Sequence, residues 1–149
     1  MSLRLAALCL LLSPLAVHAF QSAEDRLKRE EEKLAGTWRV VSVEAGGQAV
    51  PQAQFRGLKM TFKAGKFTAQ KGQGDKQEGT YKLDPSKNPR QIDISRQNGP
   101  KEGRDQLGIY SLAGNTLKIC TFGSAKARPD SFDTRDRPAA TLMTLRREP

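Results

Sequence analysis

Few residues of this chain could carry covalent or metal chemistry. The one histidine is His18, and the two cysteines are Cys9 and Cys120. The carboxylates that could converge are Asp93 with Asp105, and Asp130 with Asp133 and Asp136. Two carboxyls held at a fixed separation across a cleft can hydrolyse a glycoside. Aspartates scattered through loops are turn formers and ion-pair partners first, so no catalytic pair is expected. Gly72-Gln73-Gly74-Asp75 has the glycine spacing of a phosphate loop. It lacks the Gly-Lys-Ser/Thr ending and the helix that must follow, and reads as a hairpin turn. The expectation is a protein that is not an enzyme, with no catalytic residue, metal ligand or cofactor.

The amino terminus sharpens this. Met1-Ser2-Leu3-Arg4 is positively charged, Leu5 to Leu12 is an apolar run containing Cys9, and Ser13-Pro14 breaks it. Val17 and Ala19 then supply small residues at the spacing of a signal-peptidase site, so residues 1–19 are expected to be a secretory signal peptide. The run is shorter than the roughly 20 residues that a membrane helix needs. No second apolar stretch follows, so no transmembrane segment is expected. Cleavage after Ala19 would remove His18 and Cys9, leaving Cys120 as a lone thiol in an apolar strand pattern, where burial keeps it inert. The expected location is outside the cytoplasm, periplasmic or secreted.

The chain has 25 Lys and Arg against 16 Asp and Glu, a net charge of +9. Loss of Arg4 with the signal peptide brings it to +8. Such a charge favours anionic partners. Export argues against nucleic acid and points to an acidic envelope polymer, an acidic protein or an acidic small molecule. The competing reading is that dispersed Lys and Arg solvate the outer faces of strands.

Any such surface or cup has to be positioned by the elements that follow. Residues 20–35 form a charged helix or tether. Within them Ser22 to Leu34 reads as a helix, capped by Ser22, with Glu24 and Asp25 in the first turn and Gly36 as its stop. Its apolar stripe is thin (Leu27, Leu34, Ala35), so it either closes one end of a larger body or only tethers it. Beyond Trp38 the period changes to two. Strands are predicted over residues 38–44, 58–63, 66–70, 79–83, 91–95, 106–112, 116–121 and 141–146. Every proline after residue 19 falls between or beyond them, as the ladder requires. Short links of Gly, Asp and Asn make neighbours antiparallel. Eight such strands hide their edges by closing into an up-and-down barrel, a half-open sandwich being the alternative. The fold class is all-β, with residues 36–149 as the barrel domain. Two links are long, 45–57 and 122–140. Loops at a barrel mouth are where specificity usually resides.

Several stretches resemble the planctomycete paralogous domain family, small exported proteins of lipocalin-like fold. They are Leu34-Ala35-Gly36-Thr37-Trp38 with Val40-Val41-Ser42, Lys66-Phe67, Gly79 to Pro85, Ile92-Asp93, Gly108-Ile109-Tyr110, Gly114 to Cys120, Arg128-Pro129 and Leu145 to Glu148. They run in order over nearly all of residues 20–149. The family carries no established catalytic or binding residues, so the resemblance transfers none. The wider resemblance to lipocalins implies a structural role for Gly36-Thr37-Trp38. Trp38 would pack across the closed end, under Arg146 or Arg147 of the last strand, at a gain of roughly 0.5–2 kcal/mol.

A cup in such a barrel would be lined by Met60, Phe62, Phe67, Tyr81, Ile92, Ile94, Tyr110, Leu117, Ile119 and Met143. Tyr110 is the candidate for a polar contact with a small apolar or amphipathic ligand. Small eight-stranded barrels can instead be filled by their own side chains. In that case the protein is an envelope interaction module acting through its basic surface.

Overall fold

The computed structural model describes residues 14–99, 103–123 and 127–149, with side chains from Ser22 onward. The positively charged start, the apolar run with Cys9, and Pro100 lie outside the described residues. Helix α1 spans Pro14–Leu34. It is followed by β1 Gly36–Ala45, β2 Gln48–Ala49, the single-turn helix α2 Gln52–Phe55, β3 Leu58–Lys63 and β4 Lys66–Lys71. Then come β5 Gln77–Asp84, β6 Arg90–Arg96, β7 Asp105–Ala113, β8 Thr116–Phe122 and β9 Ala140–Arg147.

From β3 to β9 each strand pairs antiparallel with the next, β1 pairs with β3, and β1 also pairs with β9. The last pairing closes eight strands into an up-and-down barrel, and the two-residue β2 hangs on the end of β1. All eight predicted strands are present, each within a residue or two of its expected ends. A bulge between Val40 and Ser42 shifts the register of β1 against β9. The shift puts Val43 opposite Met143, and both pack against the core that holds Val40.

Two expectations need correction. The helix does not begin at Ser22 but at Pro14. Proline has no N–H to waste in a first turn and starts a helix well. The residues after it include Ala16 and Ala19, so nothing delays the helix to Ser22, which lies in its middle. The link after β8 does not act as a rim loop over residues 127–139. It is a strap on the outside of the barrel. Arg128 donates through Nη1 to the Gly108 carbonyl at 2.6 Å and through Nη2 to Asp93 at 2.6 Å. Further on, Thr134 is fully buried, bonded to Glu44 and accepting from the Gly47 N–H. The strap thus crosses the outer faces of β8 and β9. Ile109 and Cys120 face outward by register, opposite each other, yet both are buried beneath it. Cys120 is a free, buried thiol.

The closed end is built from the Gly-x-Trp stretch. Leu34 and Trp38 are both fully buried, and the Trp38 indole N–H donates to the Leu34 carbonyl at 2.8 Å. Trp38 stands opposite Arg147 across the β1–β9 ladder, and the Arg147 guanidinium lies 4.2 Å from the ring centre. The same guanidinium donates to the Ala35 carbonyl at 2.7 Å and to the Lys33 carbonyl. Those are carbonyls that a helix C-terminus leaves without partners. Gly36 makes the turn possible. Its φ is +125°, and a Cβ there would stand 2.8 Å from Arg147 Nη1. Of the two arginines considered for this role, Arg147 fills it. Arg146 is exposed, on the other face of β9.

Arg147→Ala removes the ring contact and both carbonyl bonds, and is expected to cost about 2–3 kcal/mol. The exposed Arg146→Ala should stay within about 0.5 kcal/mol. Urea unfolding of the two variants checks this, and equal losses would contradict the assignment.

Candidate functional site

The barrel interior divides into a solid half and an open half. In the closed half Phe62, Phe67, Ile92, Tyr110, Leu117, Ile119 and Leu145 are essentially inaccessible to solvent. Phe62 packs edge-on against Tyr81, with ring centres 5.4 Å apart. Helix α1 plugs this end. Glu30, a carboxylate with 6% of its surface exposed, accepts from the Tyr110 hydroxyl at 3.1 Å and pairs with Arg90 at 2.9 Å. Lys33 reaches its other oxygen at 3.4 Å. A buried carboxylate is costly unless paired and hydrogen-bonded, and here it is both. Tyr110, the candidate for a polar ligand contact, is therefore bonded to the protein's own helix. The Tyr81 hydroxyl is buried and has no partner among the described residues.

The open half begins where one inward row lacks a side chain. Phe67, Gly79 and Arg96 stand opposite one another across β4, β5 and β6. A Cβ on Gly79 would come within 2.5 Å of the Phe67 ring. The gap lets Phe67 lean across and brings the Arg96 guanidinium to 5.7 Å from its ring centre. Arg96 donates through Nη1 to Gln77 Oε1 at 2.6 Å, and through Nε to Gln106 Oε1 at 3.4 Å. Burial pulls the Arg96 guanidinium below its ordinary pKa, and it stays a cation.

Around this group lie two adjoining cavities of about 170 and 100 Å3, with Met60, Arg96 and Met143 in the walls of both. Leu58, Ala69, Lys71, Asp75 and Gln77 complete the first, and Ile94, Gln106, Thr121, Gly123 and Thr141 the second. Helix α2 stands over the same end. It buries Phe55 in the core, and Lys71 Nζ holds it by the Ala53 and Gln54 carbonyls at 3.2 and 3.0 Å.

Of the predicted lining residues, Met60, Ile94 and Met143 reach these cavities. Phe62, Phe67, Tyr81, Ile92, Tyr110, Leu117 and Ile119 face inward but belong to the packed core. Arg96, Gln77, Gln106, Glu30 and Phe55 went unnoticed in the sequence. A polar residue at an inward position gives no period-two signal, and Gln77 and Arg96 lie just beyond the predicted strands 79–83 and 91–95. Phe55 sits in a polar turn whose only helical signal is Pro51 before it.

The aspartates are held apart by separate arginines. Asp93 pairs with Arg128 at 2.6 Å, Asp130 with Arg137 at 2.6 Å and Asp133 with Arg135 at 2.7 Å, while Asp105 bonds Ser95. The Arg135 hydrogen bond holds the Asp133 carboxyl down at about 2. Gly72 to Asp75 forms a turn, with the Gly74 N–H on the Lys71 carbonyl at 2.9 Å. Among the described residues no three His, Cys, Asp or Glu are placed to hold a metal ion, and no helix is long and apolar enough to cross a membrane. No family model, no curated protein and no solved structure significantly matches this chain.

The phenols of Tyr81 and Tyr110 are both held above their ordinary pKa, first by burial; Glu30 adds to the shift at Tyr110. A phenol raised in the folded state stays protonated there while the unfolded chain ionises near pH ~10. Its contribution to stability is complete below pH ~10 and is lost as the pH rises beyond it. Tyrosinate absorbance should therefore appear only together with loss of the β-sheet circular dichroism. A tyrosine ionising near pH ~10 in the folded barrel would contradict the burial of both rings.

Proposed function

We propose that this chain is an exported, non-catalytic, lipocalin-like domain that holds a small apolar or amphipathic molecule in the open half of its barrel. The observation that carries this reading is the unfilled space between Met60, Ile94 and Met143 above a solid base. A thioether side chain is the most adaptable wall that a binding cavity can have. Neither cavity reaches the roughly 300 Å3 of an ordinary ligand pocket, so the occupant is small or extends out through the mouth. Export is supported by the charged start and apolar run of residues 1–19. Cleavage after Ala19 would leave Leu27, Glu30 and Leu34, which pack on the barrel, in place.

The solid closed half favours a second reading, an envelope module that meets acidic polymers or proteins through its basic surface. One substitution separates the two. Ala69 is small, nearly buried and in the cavity wall, so Ala69→Phe fills the cup. Octanol, a neutral chain of the size these cavities accept, should bind the wild-type protein in titration calorimetry and bind roughly tenfold more weakly to this variant, with circular dichroism unchanged. Absent or equal binding would contradict the cup and leave the surface reading.

A further inference from the structure

We propose that the open half of the barrel selects amphipathic molecules bearing a single carboxylate, and that Arg96 is the residue that takes the carboxylate. This rests on the reading of that half as a binding cup and adds the chemical class of its occupant.

The argument starts from the company Arg96 keeps. Arg90, Arg128 and Arg137 are partly shielded like Arg96, and each meets a carboxylate, those of Glu30, Asp93 and Asp130. Arg96 meets none within ion-pair distance among the described residues. Its hydrogen-bond partners are two neutral amides, Gln77 and Gln106. A guanidinium has five N–H donors, and among the described residues these two bonds leave Nη2 and one Nη1 hydrogen without a protein acceptor. The guanidinium is partly shielded beside the Phe67 ring, and burying it further would be costly unless an anion answered it. The cavities open on that guanidinium.

The two amides make the arrangement more than a stray cation. Each gives its oxygen to Arg96, which leaves its NH2 group as a further donor at the same spot. Gln106 is buried at 6% exposure, so the amide is held in place rather than waving in solvent. Arginine's planar fork matches the two oxygens of a carboxylate. The charge balance fits one negative charge. The first cavity holds Lys71, Arg96 and Asp75, a net of one positive charge, and the second holds Arg96 alone. Lys71 is occupied by the α2 carbonyls, and Asp75 opposes a second anionic group. Met60, Ile94 and Met143 supply apolar wall to the cavities that the guanidinium lines. Two adjoining cavities of about 170 and 100 Å3 suit a short hydrocarbon chain.

Octanoate and octanol share a chain and differ in the head group, and titration calorimetry of the whole protein compares them. Octanoate should bind wild type roughly ten- to a hundredfold more tightly than octanol. Arg96→Gln should abolish that preference by weakening octanoate alone, with octanol binding retained as proof that the cup is intact. Arg96→Lys should recover only part of it, since a point charge lacks the fork. Equal binding of the two ligands by wild type, or a preference that survives Arg96→Gln, would overturn the carboxylate assignment while the cup reading stands. Failure of both ligands to bind wild type would overturn the two together.

Discussion

The contact of Arg147 with Trp38 and with the end of helix α1 is the constraint on which the barrel's design depends. A barrel of eight strands has two mouths, and its core would be wet if both were open. Here the last strand places a guanidinium over the first strand's indole and ties two spare helix carbonyls to it. The same indole holds the carbonyl of Leu34. First strand, last strand and helix are thereby joined at one point, where only a glycine at position 36 leaves room. With α1 anchored, Glu30 is delivered to Tyr110 and Arg90, and the lower core is sealed.

Sealing one end has a consequence for the other. Most of the large side chains, Trp38, Phe62, Phe67, Tyr81 and Tyr110, are gathered toward the closed half, while Phe55 of α2 packs at the other end. The upper rows are left with Ala69, Gly79, the two methionines and a set of polar residues. A long unbranched side chain fills space loosely, and a glycine fills none. The cup is thus the complement of a core concentrated at the base. Its position between the ends of β5, β6 and β7 explains why Arg96, Gln77 and Gln106 meet there.

The period-two pattern made the barrel legible, because a strand with one wet face must alternate. The pairing Leu58, Met60, Phe62 against Phe67 and Ala69 could be read directly. Gly36 and Trp38 marked the closed end for the same kind of reason: few residues can end a helix and start a strand within three positions. What the pattern hid was polar and inward. Glu30 looks like one more charge on a solvated helix, and only the position of Tyr110, eighty residues later, makes it a core residue. Arg96 lies at a strand end, where a cation is ordinarily exposed. The strap of residues 127–139 carries its information in Arg128 and Thr134, whose partners are carbonyls and a carboxylate on strands remote in sequence. Long-range polar contacts of this kind leave no periodic trace.

The central claim is that a solid base supports a cup whose walls include Met60 and Met143. Nuclear magnetic resonance of protein labelled at the methionine methyl groups, titrated with octanoate, reads it directly. The Met60 and Met143 methyl signals should move together as the ligand is added, while the Trp38 indole N–H signal stays in place. A shift of the Trp38 indole with the two methyl signals fixed would put the ligand in the base and contradict the account.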